Sequence, residues 1–154
     1  MKILVLSDSH GNVQNMRTCV EMLQPRHILH LGDCIRDAEE LHRLFPDIPM
    51  DTVPGNCDWS CTDPGERLIE VGEQRILMMH GHTRGVKETT MRARYAAKEC
   101  IADILLFGHT HCPCVDYDGS LYLMNPGSIG DPVRPSYGVI TIEGTKVDCS
   151  VYRL

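Results

Sequence analysis

The 154-residue sequence predicts an α/β fold with mixed sheets. Three observations carry this. In the first half, apolar runs of strand length alternate with amphipathic helical stretches, as parallel pairing requires. In the second half, short apolar runs meet across tight turns, the mark of antiparallel hairpins. Five of the runs end in a polar side chain beside a glycine, and α/β proteins gather ligands at the carboxyl ends of their strands. The length fits one domain spanning residues 1–154, and no repeat, linker or low-complexity segment interrupts it.

The elements follow in order. Ile3-Leu4-Val5-Leu6 reads as a buried strand that runs into Ser7-Asp8-Ser9-His10-Gly11-Asn12. If the backbone stays extended, Asp8 and His10 leave the strand end on the same side. Asn12 can cap a helix over Val13–Leu23, whose Met16, Cys19, Val20 and Leu23 share a face; Pro25 stops it. His27 to Leu31 is a second strand ending at Gly32-Asp33, and Ile35–Leu44 a second helix. Met50 to Pro54 is a weaker third strand ending at Gly55-Asn56-Cys57-Asp58, followed by a loop with a turn at Asp63-Pro64-Gly65. Arg67–Val71 and Arg75–Met79 form a hairpin whose second arm ends at His80-Gly81-His82. A third helix is predicted over Lys87–Glu99. A strand within Ile101–Phe107 ends at Gly108-His109-Thr110-His111. Val115–Tyr117 and Ser120–Met124 pair across Asp118-Gly119, Asn125-Pro126-Gly127-Ser128 turns tightly, and a last hairpin joins Tyr137–Ile142 to Val147–Arg153.

Composition excludes several classes. The formal net charge is -6 with no Lys/Arg run, and only 5% of residues are aromatic, so a nucleic-acid polymer is not an expected partner. No apolar stretch reaches the roughly 18 residues of a membrane helix, and no basic region followed by an apolar run marks an export signal, so the expected place is the cytoplasm without a membrane partner. The eight cysteines lack the paired spacing of a structural zinc site and are expected to be reduced thiols.

The five polar strand ends offer two carboxylates (Asp8, Asp33), one amide (Asn56) and four imidazoles (His10, His80, His109, His111). Singly, Asp8, Asp33 and Asn56 could be turn or capping residues and each histidine a satisfied core residue. Together, seven donors are too many for one ion with an open position. They suit two divalent ions sharing a carboxylate. Such a pair carries four positive charges against two from the aspartates, draws in an anionic substrate, and acidifies a bridging water to a hydroxide able to attack phosphorus in line.

These motifs, in this order from Asp8 to Ser128, resemble those of the calcineurin-like metallophosphoesterases, with the short length and Asn125–Ser128 segment of the small YfcE-type phosphodiesterase branch. The resemblance implies a four-layer αββα sandwich. It implies that Asp8, His10 and His111 hold one metal, that Asn56, His80 and His109 hold the other, and that Asp33 bridges them. It points to manganese, with nickel, cobalt, iron or zinc as alternatives, to a small phosphate-ester substrate, and to homo-oligomers as an open option. Where many members carry histidine after the asparagine, this chain has Cys57. A thiol donates a proton to a leaving group less readily than an imidazolium, so phosphodiesters are expected over alkyl monoesters. The catalytic set is therefore Asp33, Asn56, Cys57 and His82, the last placed to contact substrate phosphate. Arg84 and Arg134 are weaker anion-binding candidates. The resemblance also includes a retromer subunit that uses this fold for protein contacts, so a non-catalytic scaffold is the alternative reading.

Overall fold

The computed structural model describes residues 1–154. Strands β1 (Lys2–Leu6), β2 (His27–His30) and β3 (Met50–Thr52) run parallel, with helices α1 (Val13–Leu23) and α2 (Ile35–Leu44) as their crossovers. Strands β9 (Ser136–Glu143) and β10 (Lys146–Arg153) add antiparallel at the β1 edge, giving the order β10-β9-β1-β2-β3. The second sheet combines β4 (Glu66–Val71), β5 (Gln74–Met79), β6 (Ile104–Leu106), β7 (Cys114–Tyr117) and β8 (Tyr122–Asn125) in the order β4-β5-β6-β8-β7. Here β5, β6 and β8 are parallel, and β4 and β7 close the edges antiparallel. Both sheets are thus mixed and five-stranded.

Alternation along the strands explains the layering. Ile3 and Val5 of β1 point into a core shared by the two sheets, with Leu29, Ile76, Met78, Ile104 and Met124. Leu4 and Leu6 point the other way, onto Met16, Cys19 and Val20 of α1 and Leu41 of α2. On the far side, Leu77, Met79, Leu105 and Phe107 pack under Ala93, Ala96 and Ala97 of α3 (Met91–Glu99), where small side chains allow close approach. Three apolar interfaces hold four layers, helices outside and sheets within.

Several boundaries differ from the sequence expectation. The third helix starts at Met91, not Lys87. Residues 85–88 form successive turns in which Glu88 and Thr89 both donate to the Gly85 carbonyl, at 3.0 and 3.1 Å. The Thr89 hydroxyl then accepts from the Met91 amide (3.2 Å), so a polar side chain takes a helical backbone donor and delays the helix. The β7–β8 connection is four residues rather than the two of Asp118-Gly119. The Asp118 carboxylate accepts from the amides of Ser120 (3.0 Å) and Leu121 (2.9 Å), building an Asx turn that a two-residue hairpin could not hold. β6 is only the apolar centre of its predicted run.

His30, at the end of β2, is fully buried. Its Nδ1 accepts from the Gly32 amide and its Nε2 faces the Ser9 hydroxyl, both at 3.3 Å. The neutral ring is satisfied there, and burial pushes its pKa down to about 4. An unfolded histidine takes up its proton near pH 6.5. Because the folded value is lower, the unfolded chain binds the extra proton, and stability falls as pH drops from about 6.5 towards about 4, by about 3 kcal/mol in total. Thermal melts of metal-free protein across this window should show the decline, and His30→Gln should reduce it, leaving the smaller share that His82 and His109 contribute. A midpoint independent of pH there would mean that the ring is charged in the fold.

Candidate metal centre

All six parallel strands point their carboxyl ends at one place. β1 delivers Asp8 and His10, β2 Asp33, β3 Asn56 and Cys57, β5 His80 and His82, β6 His109 and His111, and β8 the Asn125–Ser128 turn. The expectation that Asp8 and His10 share a side through extended backbone does not hold. Asp8 (φ 54°), His10 (45°), Asp33 (57°), His109 (66°) and His111 (56°) all adopt the left-handed conformation. This conformation is costly for residues with a Cβ and is found where surrounding structure enforces it, commonly at functional sites. These five side chains converge because the chain curls at the ends of β1, β2 and β6.

Asp8, Asp33 and His80 form the buried floor, and the half-exposed rings of His10 and His111 form the mouth. Oδ2 of Asp8 accepts from the Ser7 hydroxyl and from the His109 amide (3.1 Å). Its Oδ1 is buried and makes no hydrogen bond. What faces it is the Nε2 of His111 at 3.0 Å and of His80 at 3.9 Å. Asp33 Oδ1 accepts from the Cys57 amide (2.9 Å) and lies 3.5 Å from His80 Nε2, while Oδ2 lies 4.0 Å from His10 Nε2. Burial alone would raise the Asp33 carboxyl, but the Cys57 amide and the His80 ring hold it below the ordinary range.

His80 is the informative residue. Its Nδ1 bonds the Leu31 carbonyl at 2.8 Å and so carries the proton. Its Nε2 then faces Asn56 Oδ1 (3.1 Å), Asp33 Oδ1 (3.5 Å) and Asp8 Oδ1 (3.9 Å). An imidazole nitrogen amid three oxygens, beside a buried carboxylate oxygen left unbonded, is a donor set that a divalent cation fits. Two sets of donor atoms within 4.8 Å of one another, Asp8 with His10 and His111, and Asp8 with Asp33 and His80, match that need; a third joins His10, Asp33 and Cys57. The donors therefore fit divalent metal. His109 stands farther out, its ring centre 5.0 Å from that of His80.

His82 opens a short 3₁₀ turn, His82–Arg84, with its ring centre 5.4 Å from His80 and 6.1 Å from His109. Its Nδ1 is buried without a partner. Burial and then the His80 ring lower the pKa of both His82 and His109, which at His109 favours the neutral imidazole that coordination requires. The Cys57 thiol sits 3.4 Å from Asp33 Oδ2 and donates to it; desolvation and that carboxylate push its pKa up to about 11. Arg84 is not free for an anion, since it forks onto Glu66 at 2.5 and 2.8 Å. Arg134 is exposed on the 129–135 loop.

How several further residues position these donors was not visible in the sequence, although Asp58 and Asn125–Ser128 lie in the motifs that carry the resemblance. Asp58 accepts from the Cys34 and Ile35 amides (3.0 and 2.9 Å) and from the Gly55 amide (2.8 Å), so it caps α2 from another loop and locks the Asn56 turn to it. Asp37 holds the Ser9 hydroxyl and the Gly11 amide, each at 2.7 Å. Asn125 donates to the Gly108 carbonyl (2.9 Å) and to the Thr110 hydroxyl (3.0 Å), and Ser128 donates to the Asp8 carbonyl (2.8 Å). The Asn-Pro-Gly-Ser turn thus buttresses two of the three histidine-bearing loops, those after β1 and β6. At Gly55, a Cβ would overlap the Asp33 carboxylate. Beside the mouth runs a groove of about 620 Å³ between α2 and the 57–63 loop.

Residues 1–145 match the calcineurin-like phosphoesterase superfamily domain. A probable metallophosphoesterase of Bacillus subtilis, YsnB, is 34% identical over 99% of this chain and 90% of its own length. The phosphodiesterase YfcE of Escherichia coli K12 is 25% identical over 91% and 87%. Among solved structures, a conserved uncharacterized protein of Streptococcus pneumoniae TIGR4, described as a predicted phosphoesterase, superposes with a TM-score of 0.83 at 26% identity, covering 99% of this chain and 88% of that one. Zinc-complexed Vps29 of Entamoeba histolytica, at 21% identity, 99% coverage of both chains and a TM-score of 0.76, shares the fold.

Proposed function

We propose that this chain, which belongs to the calcineurin-like phosphoesterase superfamily, hydrolyses phosphodiesters by in-line displacement at a centre for two divalent cations. The observation that carries this is the His80 Nε2 facing three oxygens beside the unbonded Asp8 Oδ1. Asp8, His10 and His111 would hold one ion, Asn56, His80 and His109 the other, and Asp33 both. Manganese is the expected ion; nickel, cobalt, iron and zinc suit the same mixed nitrogen and oxygen donors. When bound, such a pair supplies Lewis acidity to the phosphoryl oxygens and lowers the pKa of water into the neutral range.

The chain's own residues supply the rest. Leu31 holds the His80 proton on Nδ1, keeping Nε2 free. The Cys57 amide fixes the Asp33 carboxylate, while the Cys57 thiol, a weaker acid than a free cysteine, gives little help to a leaving alkoxide. His82, whose buried Nδ1 has no partner, would meet the substrate phosphate. The weak acid at position 57 favours diesters with good leaving groups.

The test is metal-free protein reconstituted with manganese and offered an aryl phosphodiester and an alkyl phosphomonoester. The diester should turn over faster, and only with the ion added. Faster cleavage of the monoester would overturn the diester preference. No turnover with any divalent ion would assign the chain to the scaffold reading.

A further inference from the structure

The groove beside the mouth is not used by the chemistry above. Ile35, Arg36 and Glu39 line it from α2, and Trp59 and Asp63 from the opposite loop. It opens onto the metal donors at Cys57, whose sulfur touches Asp33. Its other two carboxylates are committed, Asp37 to Ser9 and Gly11, Asp58 to the α2 amides. Glu39 and Asp63 make no ion pair or side-chain hydrogen bond, so one cation, Arg36, stands against two free acids. A second phosphate or a polyanionic arm would be repelled there.

Trp59 is 91% exposed, although large apolar side chains normally bury, and it is the chain's single tryptophan. A lone indole face is enough to stack a planar ring. It is not the multi-sided cage that a quaternary ammonium demands. The volume, about 620 Å³, is that of a site for a sizeable organic group rather than for a methyl or ethyl arm.

We infer that this groove seats one arm of the phosphodiester, and that the arm is an uncharged aromatic group of nucleoside size, stacked on Trp59 and hydrogen-bonded through its exocyclic amines to Glu39 or Asp63. The inference rests on the catalytic reading above, because it takes the phosphate to lie at the paired-metal centre. It makes Trp59 a specificity residue, without a part in bond breaking.

Trp59 is also the reporter. Zinc-loaded protein is titrated with adenosine 5′-monophosphate, with ribose 5-phosphate and with inorganic phosphate, following tryptophan emission and competition against an aryl diester. The nucleotide should quench the emission and compete about ten-fold more tightly than ribose 5-phosphate, the scale of one base–aromatic stack. Trp59→Ala, at an exposed position that the fold does not need, should erase that advantage, and Trp59→Phe should keep most of it. Equal competition by the two phosphates, or an advantage that survives Trp59→Ala, overturns the inference. Diester turnover with no response to the base removes the groove assignment and leaves the catalytic reading standing. Quenching by the nucleotide without turnover of any diester keeps the groove and removes the catalytic reading.

Discussion

Asp33→Asn is expected to lower phosphodiester turnover by about a thousand-fold, the loss of several kcal/mol of transition-state charge stabilisation. The chain should still fold. Asparagine has nearly the same volume and retains an oxygen for the Cys57 amide, which now bonds Asp33 Oδ1 at 2.9 Å. What goes is the negative charge that faces His80 on one side and His10 on the other. Asp33 is the residue proposed to hold both ions, so its loss should uncouple the two ions rather than remove one cleanly. Circular dichroism should be unchanged, while metal analysis after dialysis should fall below two ions per chain. Normal turnover in Asp33→Asn would mean that the carboxylate is only a structural acceptor.

Cys57→His should raise alkyl monoester hydrolysis by about ten- to a hundred-fold, the lower part of the range for a positioned general acid, and leave aryl diester hydrolysis within a few-fold. Any residue but proline preserves the backbone amide that holds Asp33, so the substitution tests the side chain alone. Position 57 is exposed at the groove mouth, which leaves room for the ring. The thiol, pushed up to about 11, releases its proton reluctantly; an imidazolium near its ordinary pKa of about 6.5 does so readily. The gain should therefore be largest below that pKa and fade as pH rises through it. No gain at any pH would show that the leaving group takes its proton from elsewhere, with water and His82 the remaining sources.

Much of this molecule was legible in the sequence because its signals are local. The apolar runs with glycine at their ends mark β1, β2, β5 and β6, and the helix limits Val13–Leu23 and Ile35–Leu44 follow from a capping Asn12, a stopping Pro25 and one apolar face each. What was not legible depends on distant partners. The left-handed backbone at Asp8, His10, His109 and His111 is set by packing between loops, so the donors converge for a reason other than strand alternation. Asp58 reads as one more turn aspartate until α2 lies beside it. Asn125 and Ser128 read as a turn until their bonds to Gly108 and Asp8 close the site from the second sheet. The delayed start of α3 follows from the turns at Gly85 and a threonine hydroxyl that takes the Met91 amide.

The claim on which the account depends is that the strand ends form one centre for two ions, coupled through Asp33. Calorimetric titration of manganese into metal-free protein tests it most directly. Two ions should bind per wild-type chain, with Asp33→Asn losing at least one and binding the remainder more weakly. A single ion in the wild type, or two bound equally well in both proteins, would contradict it.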